Sequence, residues 1–186
     1  GELRRGERGW LLDEFDSAAV APKQLLEVLS ERLQRLGDVE RRALSALAVL
    51  GRPSGPRLLS AIAGVSTGEV RQALASAENT GLLRVVGEEG GRPRVVFRHP
   101  QIRDVLLDDL RQGGVLKVWH ETAADVLEER ATERDKGPAL AETLAYHYEQ
   151  AGLAEPALRW LMEASEHAIA TFAFDDAIRL ARRASK

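Results

Sequence analysis

The sequence predicts a mainly α-helical fold with one small β-hairpin near its middle. Three observations carry that reading. Apolar residues recur at helical spacing over most of the 186 residues. Glycine and proline divide those stretches into segments of helix length. One stretch, Leu82 to Arg98, instead alternates and breaks at glycines in the manner of two paired strands. With 44% hydrophobic and 30% charged residues, the chain has room for one large or two small domains with a buried core.

Leu3-Arg4-Arg5, Gly6-Glu7-Arg8-Gly9 and Trp10-Leu11-Leu12 read as a short hairpin whose turn is bracketed by glycines. Asp13 to Ala21 is polar and rich in small residues, so residues 1–21 are expected to be a hairpin and linker left from an upstream domain. Pro22 suits the first turn of a helix carrying Leu25, Leu26, Leu29, Leu33 and Leu36, and Gly37 ends it. Asp38 is the expected N-cap of a second helix, with Ala43, Leu44, Leu47, Ala48 and Leu50 on its apolar face. Gly51-Arg52-Pro53 stops it.

A short third helix runs from Pro56 through Leu58, Leu59 and Ile62 to Gly64. Ser66 or Thr67 caps a fourth, with Glu69 in its first turn and Val70, Ala73, Leu74 and Ala77 as its buried stripe up to Gly81. Two strands follow, Leu82 to Val86 and Arg94 to Arg98, around a turn at Gly87-Glu88-Glu89-Gly90-Gly91. Three helices and then a two-stranded hairpin is the winged-helix order, and the Ala63-Gly64-Val65-Ser66 turn suits a helix-turn-helix. Residues 22–110 are therefore expected to form a winged-helix domain.

Beyond it the chain reads as helix throughout: Gln101 to Leu110, Leu116 to Arg130, Ala139 to Ala151, Pro156 to Ala170 and Asp175 to Ser185. Leu144, Tyr148, Gly152, Ala157, Leu161 and Ala164 resemble the packing positions of tetratricopeptide-type hairpins, in which bulky pairs, a glycine and small alanines let helices approach. A second register at Phe174-Asp175-Asp176-Ala177-Ile178 follows sooner than the full repeat of about 34 residues would place it. Residues 111–186 are expected to be a tetratricopeptide-like helical array. The array is expected to be truncated, with an apolar face of Ile178, Leu180 and Ala181 that a further helix would cover.

Charge is balanced and slightly acidic, net −3 with a pI near 5.9, which does not favour nucleic acid as a partner. The fourth helix, which would enter the DNA groove, carries Glu69, Arg71 and Glu78 and is net negative. Arg84, Arg92, Arg94 and Arg98 could touch phosphate from the hairpin, but Glu88 and Glu89 occupy its tip. The absence of cysteine excludes disulfides, thiolate metal sites and a cysteine nucleophile, and fits a reducing cytoplasm. No apolar run approaches the roughly 18 residues of a membrane span, and no signal-peptide core follows Gly1-Glu2-Leu3-Arg4-Arg5.

Catalytic patterns are missing: there is no phosphate-cradling GxxxxGK[ST] loop, and His120-Glu121 lacks the second histidine of a zinc-protease helix. The segment is expected to be no enzyme and to hold no metal or cofactor. His120, His147 and His167 fall on separate helices without ligand spacing and read as surface or packing residues. Trp119, Trp160, Tyr146 and Tyr148 read first as packing aromatics. The partner-binding candidates among them are Tyr146, Tyr148 and Trp160, around a groove beside Tyr146.

Phe97-Arg98-His99-Pro100 leaves the second strand and enters a helix. Together with Leu25 to Leu50, Gly64 to Leu83 and Ala141 to Ala164, in that order, it resembles successive blocks of bacterial STAND regulators, the signal-transduction ATPases with numerous domains. In that family the region follows the nucleotide-binding domain and precedes a tetratricopeptide sensor array. The resemblance implies a non-catalytic coupling module that links the ATP or ADP state of an upstream ATPase domain to a protein or small-molecule effector on the array. Related apoptosome scaffolds and plant resistance proteins carry Met-His-Asp at this junction, and that histidine contacts the bound diphosphate. Here the matching residues are Arg98-His99-Pro100, so His99, with Arg98, is the implied nucleotide sensor. An imidazole that titrates near neutrality and can donate to phosphate suits that task, whereas a histidine packed against the hairpin is the plainer alternative. A winged-helix transcription regulator with a helical effector or dimerisation domain is the other functional class, and a scaffold without a switch a third.

Overall fold

The computed structural model describes residues 4–6, 9–11, 31–89, 92–131 and 137–184. Strands β1 (Arg4–Gly6) and β2 (Gly9–Leu11) pair antiparallel with Arg4 opposite Leu11, as the glycine-bracketed pattern requires. The linker expected at Asp13 to Ala21 and most of the first leucine helix lie outside the described residues. Residues 31–34 are helical, and Leu33 is buried.

Helix α1 (Asp38–Leu50) starts one residue earlier in its cap than its sequence suggests. Gly37 is the N-cap, and its N–H donates to the Glu40 carboxylate at 3.1 Å. Asp38 instead joins Glu40 in the first turn, where negative charge meets the positive end of the helix dipole. Every residue from Ala43 to Leu50 is buried, because α1 is wrapped on several sides at once. Its C-cap, Gly51, is left-handed at φ 63°, and a Cβ there would stand 3.0 Å from Arg103 Nη2.

Helices α2 (Pro56–Ala63) and α3 (Thr67–Asn79) pack against α1 and each other. Ser66 proves to be the cap of α3: its hydroxyl accepts from Glu69 N–H at 3.2 Å, while the Glu69 carboxylate accepts from Ser66 N–H at 3.0 Å. Strands β3 (Leu83–Glu89) and β4 (Arg92–Phe97) form the antiparallel hairpin. The turn expected from Gly87 onward begins later than the glycines suggest. The strand continues through Gly87 to Glu89 because the register shifts between Val85 and Glu88, with Gly87 at φ 120° absorbing the irregularity. Ser54 joins this sheet through a two-way backbone bridge to Val95, at 3.2 and 3.0 Å.

Five further helices complete the described chain: α4 (Pro100–Gln112), α5 (Leu116–Arg130), α6 (Pro138–Ala151), α7 (Ala154–Ala170) and α8 (Phe174–Ala184). The fold is thus mainly α with small antiparallel sheets. Helix α5 buries His120, Ala123, Ala124 and Leu127, an i, i+3, i+4, i+7 stripe. It packs on α1, α2 and α4 and also on α6, so it touches both the hairpin-bearing unit and the helices that follow. Helices α6, α7 and α8 then stack in sequence. All the expected packing positions of the α6–α7 pair, Leu144, Tyr148, Ala157, Leu161 and Ala164, are buried, and Gly152 closes α6 at φ 81°.

The expectation for α8 needs correction. Leu180 is buried with Ala177, whereas Ile178 and Ala181 are exposed. Positions two apart on a helix lie on nearly opposite faces, so Ile178 and Leu180 cannot share one. The large apolar residues exposed near this end are Ile169, Phe172, Phe174 and Ile178. Among the described residues no helix is long and apolar enough to cross a membrane.

Candidate functional site

His99 is the N-cap of α4, with extended backbone (φ −123°, ψ 125°), and Pro100 occupies the first helical position. Its imidazole makes no capping hydrogen bond and none to any other described residue, and the side chain is half-buried. The backbone around it is fixed all the same: Arg98 N–H donates to Leu82 O at 2.9 Å, and His99 O accepts from Ile102 N–H at 3.1 Å. The Arg98 side chain is exposed. The neighbours Phe97 and Pro100 line a small cleft of about 130 Å³ together with Gly51, Arg52 and Arg103. Arg103 anchors this corner by donating from Nε to Ala48 O at 2.8 Å. The junction therefore holds a hydrogen-bonded backbone and an imidazole that bonds to no other described residue.

The three aromatic candidates separate. Tyr146 is 40% exposed, with its ring edge-on to His120 and His147 at centroid distances of 5.8 and 5.3 Å. Tyr148 and Trp160 are buried and committed to packing, which leaves Tyr146 as the one that presents surface. The Arg159 guanidinium lies 5.2 Å from the Trp160 ring centroid, within cation–π range.

Tyr148 ties three helices together. Its hydroxyl lies 2.7 Å from Glu128 Oε2 and 3.0 Å from Asp125 Oδ1, both on α5, and Arg159 of α7 donates to Glu128 Oε1 at 2.8 Å. Burial first, then hydrogen bonds to the two carboxylates, push the phenol well above its usual range, so it stays a donor. Tyr148→Phe is expected to cost about 1–2 kcal/mol, the value of a hydrogen bond to a charged acceptor less what solvent returns to the exposed Asp125 and half-buried Glu128 carboxylates. Urea unfolding followed by circular dichroism measures it. A loss below about 0.3 kcal/mol would mean that the carboxylates are as well satisfied by water.

The sequence did not reveal that His120 and His147 meet. Both are buried, with Nδ1 to Nδ1 at 3.0 Å and ring centroids 5.2 Å apart. One ring must donate and the other accept, so the two adopt opposite tautomers. Both pKa values are held down to about 4. Burial is the first cause for each; Arg103 adds to the effect at His120, and His120, Arg52 and Arg103 add to it at His147. The available signal was register: His120 sits in the α5 stripe with Ala123 and Ala124, and His147 lies beside Leu144 and Tyr148 in α6. Among the described residues no group of three or more His, Cys, Asp or Glu residues could hold a metal ion. No family model matches the chain, and no curated protein matches it.

Proposed function

We propose that this chain is the non-catalytic coupling module of a multidomain STAND ATPase in the bacterial cytoplasm. In this reading α1 to β4 is its winged helix, and α6 to α8 begin a tetratricopeptide-like sensor array. The observation that carries it is α5, which packs on α1 and α2 and also on α6. A load on the array would reach the unit bearing His99 through the packing of α5. His99 supports the reading because its backbone is fixed while its imidazole makes no hydrogen bond to another described residue. Nucleotide held by an upstream ATPase domain and touched by His99 would favour a closed state, and an effector on the array would release it, which is a population shift.

In the protein joined to its ATPase domain, His99→Ala is expected to weaken ADP retention and raise basal signalling. A hydrogen bond to a charged group is worth roughly 1.5–3 kcal/mol, so the closed-to-open balance should move about tenfold or more. The melting temperature should barely change. Unchanged ADP affinity with a lowered melting temperature would make His99 a packing residue. Salt-dependent binding of duplex DNA, lost on substitution of Arg84 and Arg98, would instead favour a transcription regulator.

A further inference from the structure

We propose that the exposed face of α7 and the turn after it bind an amphipathic helix carrying lysine or arginine beside its apolar side, a surface separate from both His99 and the groove beside Tyr146. Exposed single apolar residues are ordinary, but these are not scattered. Of the ten large hydrophobic side chains exposed among the described residues, six fall between Leu158 and Ile178. Leu158, Met162 and Ile169 stand at i, i+4 and i+11 on α7 and so share one side of it, distinct from the buried side of Ala157, Trp160 and Ala164. Met162 and Ile169 are each 54% exposed.

The turn after α7 adds an independent observation. Phe172 adopts φ 59°, the left-handed region that penalises a bulky side chain and that glycine occupies freely. Its N–H donates to Ile169 O at 3.1 Å and that of Ala173 to Ala168 O at 2.8 Å, which holds the strained residue in place. The ring itself is 79% exposed and meets Phe174 edge-on at 6.1 Å. A phenylalanine kept in this conformation presents its ring outward at a cost in backbone energy, and a partner covering the ring offsets that cost.

Charge decides the class of partner. Helix α7 carries Glu155, Glu163 and Glu166 against Arg159. Glu155 lies three positions from Leu158, and Glu166 lies four from Met162 and three from Ile169, so both flank the apolar side directly. None of the three carboxylates has an ion pair with a described residue, whereas Arg159 is bound to Glu128 at 2.8 Å and lies over the Trp160 ring. The charge left unanswered along α7 is therefore negative. It repels DNA and anionic lipid, and it sets a second copy of α7 against like charge. Lysine or arginine beside an apolar helix face is complementary to it.

Fluorescence anisotropy with the whole chain tests this, using a labelled peptide of leucine and lysine, about 18 residues long, with leucine at i, i+3, i+4 and i+7. The comparators are a leucine–glutamate peptide of the same pattern and a leucine–lysine peptide whose leucines are scattered around the helix. The patterned lysine peptide should bind with a dissociation constant on the order of micromolar at low salt, and both comparators about tenfold more weakly or worse. Met162→Ser with Ile169→Ser should weaken it about tenfold, and Glu155→Gln with Glu166→Gln about threefold, with a flatter salt dependence. Phe172→Gly should weaken it as well. The α7 side chains changed are all exposed, so the circular dichroism spectrum should be unchanged. Glu78→Gln with Asp104→Asn removes the same net charge from α3 and α4 and should bind as the parent does. No nucleotide or ATPase domain enters the measurement, so its failure would leave the coupling role proposed for α5 standing. The proposal is overturned if the lysine peptide does not bind, if the glutamate peptide binds as tightly, if any of the variants on α7 or at Phe172 binds normally, or if the variant on α3 and α4 is weakened equally. Dimerisation of the parent chain in sedimentation, abolished by Met162→Ser with Ile169→Ser, would overturn it too by making a second copy the occupant.

Discussion

Lowering the pH from about 7 to about 4 is expected to cost this fold roughly 2–4 kcal/mol through the His120–His147 pair alone. An unfolded histidine takes up its proton near 6.5, while these two are held to about 4 in the fold, chiefly by burial. Between those values the unfolded chain binds more protons than the folded one, so acid drives unfolding there. The contribution is fully present above 6.5, is lost progressively as the pH falls towards 4, and levels off below. Two full shifts would amount to more, and partial access of water to the pair reduces the figure. The 3.0 Å Nδ1 contact also makes the steps unequal: the first imidazolium can still donate to its neutral partner, whereas a second would face a like charge. The urea midpoint measured from pH 7.5 to 4 should therefore fall with pH, and a His120→Leu, His147→Leu double variant should flatten the curve. A midpoint already flat from pH 7 to 5 in the parent protein would show that the pair is hydrated.

How much of this was legible depends on whether one segment contained the information. The buried stripe of α3 follows from Val70, Ala73, Leu74 and Ala77 alone, and its cap from Ser66 and Glu69, because helical period and capping are local. Asp38 misled for an equally local reason. A glycine can cap when Glu40 reaches back to its N–H, and that leaves the acidic residue inside the first turn. At Gly87 the glycine signal was real, but it marked a bulge within a strand rather than the turn.

Sites built from distant segments were not readable. Of four arginines that line one cleft, Arg52 and Arg57 lie in one proline- and glycine-rich loop, but Arg94 comes from the hairpin and Arg130 from the end of α5. The Ser54–Val95 bridge brings Arg94 to that loop and the packing of α5 onto α2 brings Arg130, and no pattern of single residues encodes either. The histidine pair is the same case: each residue read as surface or packing, and both its burial and the contact depend on how α5 and α6 align. Of the aromatic candidates, Tyr148 already stood at a packing position of the hairpin pattern, whereas the burial of Trp160 follows only once its helix has a neighbour on that face.

The dependence of distant elements on α5 leads to the largest effect expected of a single substitution. Leu144→Ala should destabilise the protein by about 3–5 kcal/mol, the upper part of the range for buried leucine. Leu144 is fully buried in α6, and the α6–α7 pair buries Ala141, Ala145, Ala157 and Ala164 beside the larger His147, Tyr148, Trp160 and Leu161. The alanines offer no bulk to move into the hole and the rings are stiff, so most of the cavity should persist. The consequence should not stop at α6. If α5 couples the two halves, its loss of support from α6 must also weaken α1, and amide exchange in α1 and α6 should accelerate together towards one common rate. Acceleration confined to α6, α7 and α8, with α1 exchanging as in the parent protein, would divide the chain into two independent units. The array could then move without consequence for the unit that carries His99, and the coupling role proposed for α5 would fail with it.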